Sequence, residues 1–386
     1  MAGGGLAAGM DFKHIILATL GGNIFLSIIA VLISIIACKT GLTFALLTRY
    51  SFGSTGSKAA SIFVPVVNLG WYTIQAATYG HFVAQVFHMG QVGEGICMAV
   101  SAIVMGIFAM CGIGAITILG YIAIPAIVFL SIATAIRSLG VIGGMEALFA
   151  YVPSSDMPLF TGITAVIGTW VLSTATCIAD IMRYAKDTKA AVSATLTGLL
   201  GGNILMIVCG AIAAIAMQNS DLTVILLGFG LVIPSLILMT TNIFTTNAAN
   251  LYSTSLNLSN AFKMERKKML AILLVLSALA TLTKPYEIGF LFTFLNILGT
   301  VVPPLSGIIL SDYFLVHKGR YAAYDKASFC KWNPVPWITW AISIALVYMI
   351  PFGLPSLNGI ILGAVLYTAL MAISKQRVTT NLAEEA

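Results

Sequence analysis

Apolar runs of about 20 residues, the length that crosses a bilayer as a helix, recur along the chain near 14–38, 59–87, 93–112, 115–136, 159–182, 190–217, 222–250, 268–283, 288–311, 334–351 and 354–374. The pattern predicts an all-α polytopic membrane protein with about eleven spans, the pair 268–283 and 288–311 being the least regular. Most of the connections are short and polar. The stretch 39–58, KTGLTFALLTRYSFGSTGSK, is too polar to span, but its Leu42, Leu46, Leu47 and Tyr50 predict a short interfacial helix. The stretch 312–333 mixes Asp312, His317, Lys318, Arg320, Asp325 and Lys326 and reads as a solvated connector. The tail after Lys375 reads as disordered.

Charge gives the runs a direction. With 39–58 in the cytoplasm and alternation from there, only Lys13, Arg137 and Lys284 of the 19 Lys and Arg residues lie outside. Cations, not acids, carry that bias, as cytoplasmic loops require. The C-terminus is expected in the cytoplasm of a multi-pass protein of the inner or plasma membrane. The first residues are expected outside without a signal peptide, which suggests a missing segment before Met1.

Residues 20–24 read Leu-Gly-Gly-Asn-Ile, and residues 200–204 repeat it. The first copy lies in a run entering the cytoplasm and the second in a run leaving it. The same motif in opposite directions marks an inverted-topology repeat, with chance glycine pairs in close-packed helices as the alternative. The repeat divides a single transporter domain into about 1–140 and 155–315, with two further helices at 334–374. The run 159–182 then needs a twin before residue 14, and only MAGGGLAAG stands there.

Polar groups in hydrocarbon are costly, which makes those at depth candidates for a site. In GTWVLSTATCIADIMRYAK, from Gly168, the hydroxyls of Thr169, Ser173, Thr174 and Thr176 surround Trp170. They fit either a plain helix packed through small residues or a broken helix that carries a ligand. Asn68, Trp71 and Gln75 share one helix face, where an indole stacks on a flat ligand and amides read its edge. In 240–250, TTNIFTTNAAN, Asn242, Thr245 and Thr246 lie within about one turn. Hydroxyls and amides without a carboxylate suit a monovalent cation or a neutral ligand, not Ca²⁺ or Mg²⁺.

Composition narrows the classes. The 386 residues are 59% apolar and 8% charged, with a mean hydropathy of +1.01, against about a quarter charged for soluble domains. A net charge of +6 is scattered over short loops and implies no nucleic-acid partner. Cys38, Cys97, Cys111, Cys177, Cys209 and Cys330 show no metal-ligand spacing and read as packing residues. No phosphate-binding loop, nucleophile elbow or paired intramembrane carboxylates occur, so neither an enzyme nor an ATP-driven pump is expected. Asp180 and Asp312 read as boundary charges at cytoplasmic helix ends, Asp180 beside Arg183.

KTGLTFALLTRYSFGSTGSK, NLGWY, GTWVLSTATCIADIMRYAK and TTNIFTTNAANLYS together resemble the nucleobase–cation symporter family, most closely its cytosine permease branch, from about residue 3 to 375. The resemblance implies the five-plus-five inverted-repeat fold with twelve helices, eleven of them present here. It also implies coupling to Na⁺ or H⁺, no cofactor, and a flat heterocycle as substrate. On this resemblance Trp71 is the stacking aromatic of the third helix. Trp170 is its counterpart on the sixth, where cytosine permeases usually carry Phe. Asn242 hydrogen-bonds the ring, and Thr245 with Thr246 ligate Na⁺. Asn68 stands where those permeases carry Gln, and Ser173 is a further substrate contact, with Trp170 to Asp180 one residue longer. The expected function is import of cytosine or a related base by a monomer in the bilayer. Purines, uracil, hydantoins, allantoin and the thiamine-precursor pyrimidine are alternative substrates, and a passive channel or facilitator is the alternative mechanism.

Overall fold

The structure, a computed structural model, describes residues 2–110, 113–219, 230, 232–374 and 379–381. The start of the 222–250 run and most of the tail after Lys375 lie outside the described residues. Helices form α1 (Ala2–Gly9), α2 (Phe12–Thr40), α3 (Phe44–Val86), α4 (Gln91–Met110), α5 (Ile113–Ile142), α6 (Met145–Phe149), α7 (Leu159–Leu172) and α8 (Ile178–Met182). They continue as α9 (Thr188–Leu196), α10 (Ile204–Met217), α11 (Val232–Phe262), α12 (Arg266–Thr281), α13 (Ile288–Val301), α14 (Pro303–Ser311), α15 (Val335–Met349) and α16 (Pro355–Ser374). Among the described residues seven helical stretches are long and apolar enough to cross a membrane, and α15 is a shorter apolar helix. A helix satisfies its own backbone, which hydrocarbon cannot do for it. Wide π turns interrupt the ladder at Ser173–Cys177, Thr197–Asn203 and Asp312–Val316.

The chain divides into two compact units, and it changes unit inside helices or the π turn at 20/21, 64/65, 162/163, 201/202 and 294/295. Four of these five points carry Gly or Pro, residues that weaken a helix locally.

The first unit comprises Met1–Leu20, Pro65–Gly162 and Gly202–Phe294. Within it α1 packs on α10, α10 on α5, α5 on α11, and α4 on α11 and α12. Glu94, 8% exposed, accepts the Tyr286 hydroxyl at 2.6 Å, with His81 Nδ1 at 2.8 Å and Lys284 Nζ at 3.4 Å. His81 is therefore one of a paired group.

The second unit comprises Gly21–Val64, Ile163–Gly201 and Leu295–Ala386, with α14 against α16 and α16 against α15. The polar stretch at 39–58 does become helical, as expected, but its apolar face meets protein. Leu47, Tyr50 and Phe52 are each 0% exposed. The helix bends at Gly53, whose φ of 80° suits glycine. There Ser54 and Thr55 donate their N–H groups to the Cys330 and Lys331 carbonyls at 2.9 and 2.8 Å.

Three local expectations change. Asp312 is no boundary charge. It is 0% exposed and accepts the hydroxyls of Tyr321 at 2.5 Å and Tyr367 at 2.7 Å, with His317 Nδ1 3.5 Å away. Asp180 accepts the N–H of Phe44 at 2.9 Å and so caps the start of α3, and Arg183 Nε donates to its backbone carbonyl at 3.4 Å. In the tail, Thr379–Asn381 pairs antiparallel with Ala327–Phe329.

Candidate functional site

On α11 burial separates the helix faces. Ile243, Phe244, Asn247, Ala248 and Leu251 are at most 9% exposed, whereas Asn242, Thr245, Thr246, Ala249 and Asn250 are only partly buried. The second set follows i, i+3, i+4, i+7, i+8 spacing and forms one polar stripe. It carries amides and hydroxyls and no ionisable group.

The threonine hydroxyls are already oriented. Thr245 Oγ1 lies 2.8 Å from the Thr241 carbonyl and 2.9 Å from that of Asn242, and Thr246 Oγ1 donates to Asn242 at 3.0 Å. Each proton is held by the backbone, which leaves the oxygen lone pairs to accept. Two such oxygens one residue apart suit a weakly held monovalent cation. Among the described residues no group of three or more His, Cys, Asp or Glu is placed to hold a metal ion.

The adjacent helix, α3, carries Asn68 and Trp71. Asn68 is 1% exposed, and Trp71 is half-buried. Two bonds fix α3 against α11. Asn247 Nδ2 donates to the Tyr72 carbonyl at 3.1 Å, and the Tyr79 and Thr240 hydroxyls lie 2.8 Å apart. The partners are seven residues apart on both helices and run in opposite order, so the helices are antiparallel. At 1.5 Å per residue Thr245 and Thr246 fall about 3–5 Å along the axis from the level of Trp71, and Asn242 about 9 Å. The hydroxyl pair and the indole thus share one depth.

Phe294 meets Trp71 edge-on at 5.3 Å and 76°, and an added Cβ at Gly70 would lie 3.3 Å from Phe294 Cζ. Neither Phe294 nor Asn247 was singled out from sequence. A phenylalanine in an apolar run carries no signal, and Asn247 was one of several amides in a polar stretch.

Trp170 and Ser173 belong to the second unit. Gly168 lets the backbone approach that of Leu295, since an added Cβ would lie 2.3 Å from the Leu295 carbonyl oxygen. Trp170 is 39% exposed, while Ile167, Val171 and Leu172 are 0–1% exposed. Beyond it the helix widens into the π turn Ser173–Cys177, the kind of irregularity that recurs at functional sites. Thr174 and Thr176 donate to the carbonyls of Val171 and Leu172 at 3.1 and 2.6 Å. Those hydroxyls serve the local backbone, and Ser173 is half-buried beside them.

Comparison with known proteins identifies the family. Residues 1–371 match the family of permeases for cytosine/purines, uracil, thiamine and allantoin. Cytosine permease of Escherichia coli K12 is 30% identical over 380 residues, 98% of this chain and 88% of that protein. Hydantoin permease of Microbacterium maritypicum is 24% identical, covering 96% of this chain and 82% of that one. The structure of Mhp1, a nucleobase-cation-symport-1 family transporter in a closed conformation with bromovinylhydantoin bound, superposes with a TM-score of 0.83 at 19% identity, covering 99% of this chain and 91% of that chain. The family consists of membrane permeases, not enzymes, and this chain belongs to it.

Proposed function

We propose that the chain is a secondary active transporter that imports cytosine or a related nucleobase with Na⁺ or H⁺ by alternating access. The observation that carries this reading is the Thr245–Thr246 hydroxyl pair of α11, about 3–5 Å along the axis from the level of Trp71. The indole stacks on the base, Asn68 and Asn242 read its edge, and Thr245 with Thr246 hold the cation. Trp170 and Ser173 are assigned substrate contacts on separate grounds: an exposed indole among buried neighbours, followed by a π turn. The cytosine permease relative supports cytosine as the first substrate to try, and the hydantoin and allantoin permeases support a wider panel. Coupling is supported by the cation-symport family of Mhp1 and by the fold likeness to a Na⁺-coupled sialic acid symporter, with a TM-score of 0.56.

An inverted repeat of 1–140 and 155–315 belongs to the same reading. In its support, both copies of Leu-Gly-Gly-Asn-Ile span a point where the chain changes unit. The test is radiolabelled cytosine uptake in whole cells, competed with unlabelled purines, uracil, hydantoin and allantoin. Uptake lost in Trp71→Ala and Asn242→Ala at equal expression fits the proposal. Uptake indifferent to both substitutions would remove the site.

A further inference from the structure

Asn247 is fully buried on α11, immediately after the Thr245–Thr246 pair. Its Nδ2 donates to the Tyr72 carbonyl at 3.1 Å and lies 3.2 Å from Met105 Sδ, while its Oδ1 is buried without a hydrogen-bond partner. Turning the amide over would set two acceptors against each other at the Tyr72 carbonyl, so the donor must face α3. A side chain that only filled space here would do so better without an unmatched oxygen, since a buried acceptor left alone is costly. What the amide supplies is the bond to α3.

That bond lands on a particular peptide. Tyr72 follows Trp71, and its phenol is in turn bonded to the Ala102 carbonyl on α4. The peptide beside the indole is therefore held from α11 by Asn247 and from α4 by its own side chain. At its other end Asn247 is covalently next to Thr246, whose hydroxyl closes on Asn242. A rotation of this turn around a cation would carry Asn247 with it and so bear on the Tyr72 carbonyl next to Trp71.

We infer that Asn247 is a positioning residue that transmits cation occupancy at Thr245–Thr246 to the stacking face of Trp71. The inference rests on the proposed function. It makes Asn247 responsible for the coupling factor between the two ligands, a quantity that must be the same in both directions.

The test is cytosine affinity of purified protein measured without cation and with saturating cation, Na⁺ or H⁺, in wild type, Asn247→Leu and Asn247→Gln. Leucine keeps the branching of asparagine but is bulkier and has no donor, and glutamine keeps one. The wild-type ratio of affinities is expected in the usual range of about 5–150-fold. It should fall below about twofold in Asn247→Leu and recover in part in Asn247→Gln. A purely structural role would weaken both affinities alike and leave the ratio intact, which would overturn the inference. If Asn247→Leu does not fold, the smaller donor-free Asn247→Ala carries the test, and an unchanged ratio there overturns it. A wild type that binds cytosine with no cation effect removes the coupling reading and the inference together. A ratio retained in Asn247→Leu removes the inference alone.

Discussion

Single side chains decide how the polar groups at depth divide between structure and function. Thr174 and Thr176 are spent on backbone carbonyls at a π turn. Thr245 and Thr246 also donate to carbonyls, but they sit on the open stripe with their lone pairs free to accept. Thr246→Val keeps the shape and removes one oxygen of the proposed cation site. It should raise the cation concentration needed for half-maximal uptake by about tenfold or more, in line with one hydrogen-bond-sized loss, while cytosine affinity at saturating cation stays near wild type. Trp71→Ala should instead weaken cytosine by about 5–150-fold, the worth of one stacked base. Gly168→Ala places a methyl group 2.3 Å from the Leu295 carbonyl oxygen and should cost about 1–3 kcal/mol through overpacking, visible as a lower Tm in detergent.

At the level of helices, much was legible from the pattern of apolar runs, because lipid leaves the backbone only one way to satisfy itself. The polar stretches were harder. Leu47 and Tyr50 predicted an amphipathic helix correctly, yet nothing local revealed that the partner would be protein and not lipid. Asp312 and Asp180 misled for one reason: a carboxylate at a helix end looks solvated until its donors, far away in sequence, are known. Tyr367 lies 55 residues from Asp312, and Phe44 lies 136 residues from Asp180. Trp71, Asn68 and the 240–250 hydroxyls stood out as candidates because polar groups inside apolar runs are conspicuous. Asn247 and Phe294 did not, since their meaning comes from α3.

The cluster of Tyr50, Tyr321 and Asp312 carries a pH signature. Burial, with Tyr324 and Asp325 adding to it, pushes the Tyr50 phenol up to about 12 from 10.0. Burial first and then Asp312 push Tyr321 well above its ordinary value. A raised tyrosine favours the fold while protonated. That contribution is complete below pH 10, the unfolded value, and is lost as pH rises towards 12. Stability should therefore hold up to about pH 10 and fall above it, with a smaller fall in Tyr50→Phe, followed by fluorescence-detected unfolding. Asp312→Ala leaves two buried phenols without an acceptor and should cost about 2–4 kcal/mol.

For the whole molecule the proposals concern direction and work. The excess of Lys and Arg in alternate connections expects the C-terminus in the cytoplasm. A fluorescent protein fused after Ala386 should glow, and a periplasm-dependent phosphatase at the same place should stay inactive. The reverse pattern would invert the topology. On the proposed reading the indole of Trp71 takes the base, the carboxylate-free stripe of α11 takes the cation, and one solute moves on the gradient of the other. Cytosine uptake into proteoliposomes, with an imposed inward Na⁺ or proton gradient, bears on this reading most immediately. Accumulation above the outside concentration, abolished by the matching ionophore and by Trp71→Ala, is the expected result. Uptake that only equilibrates, or that ignores both gradients, would contradict it.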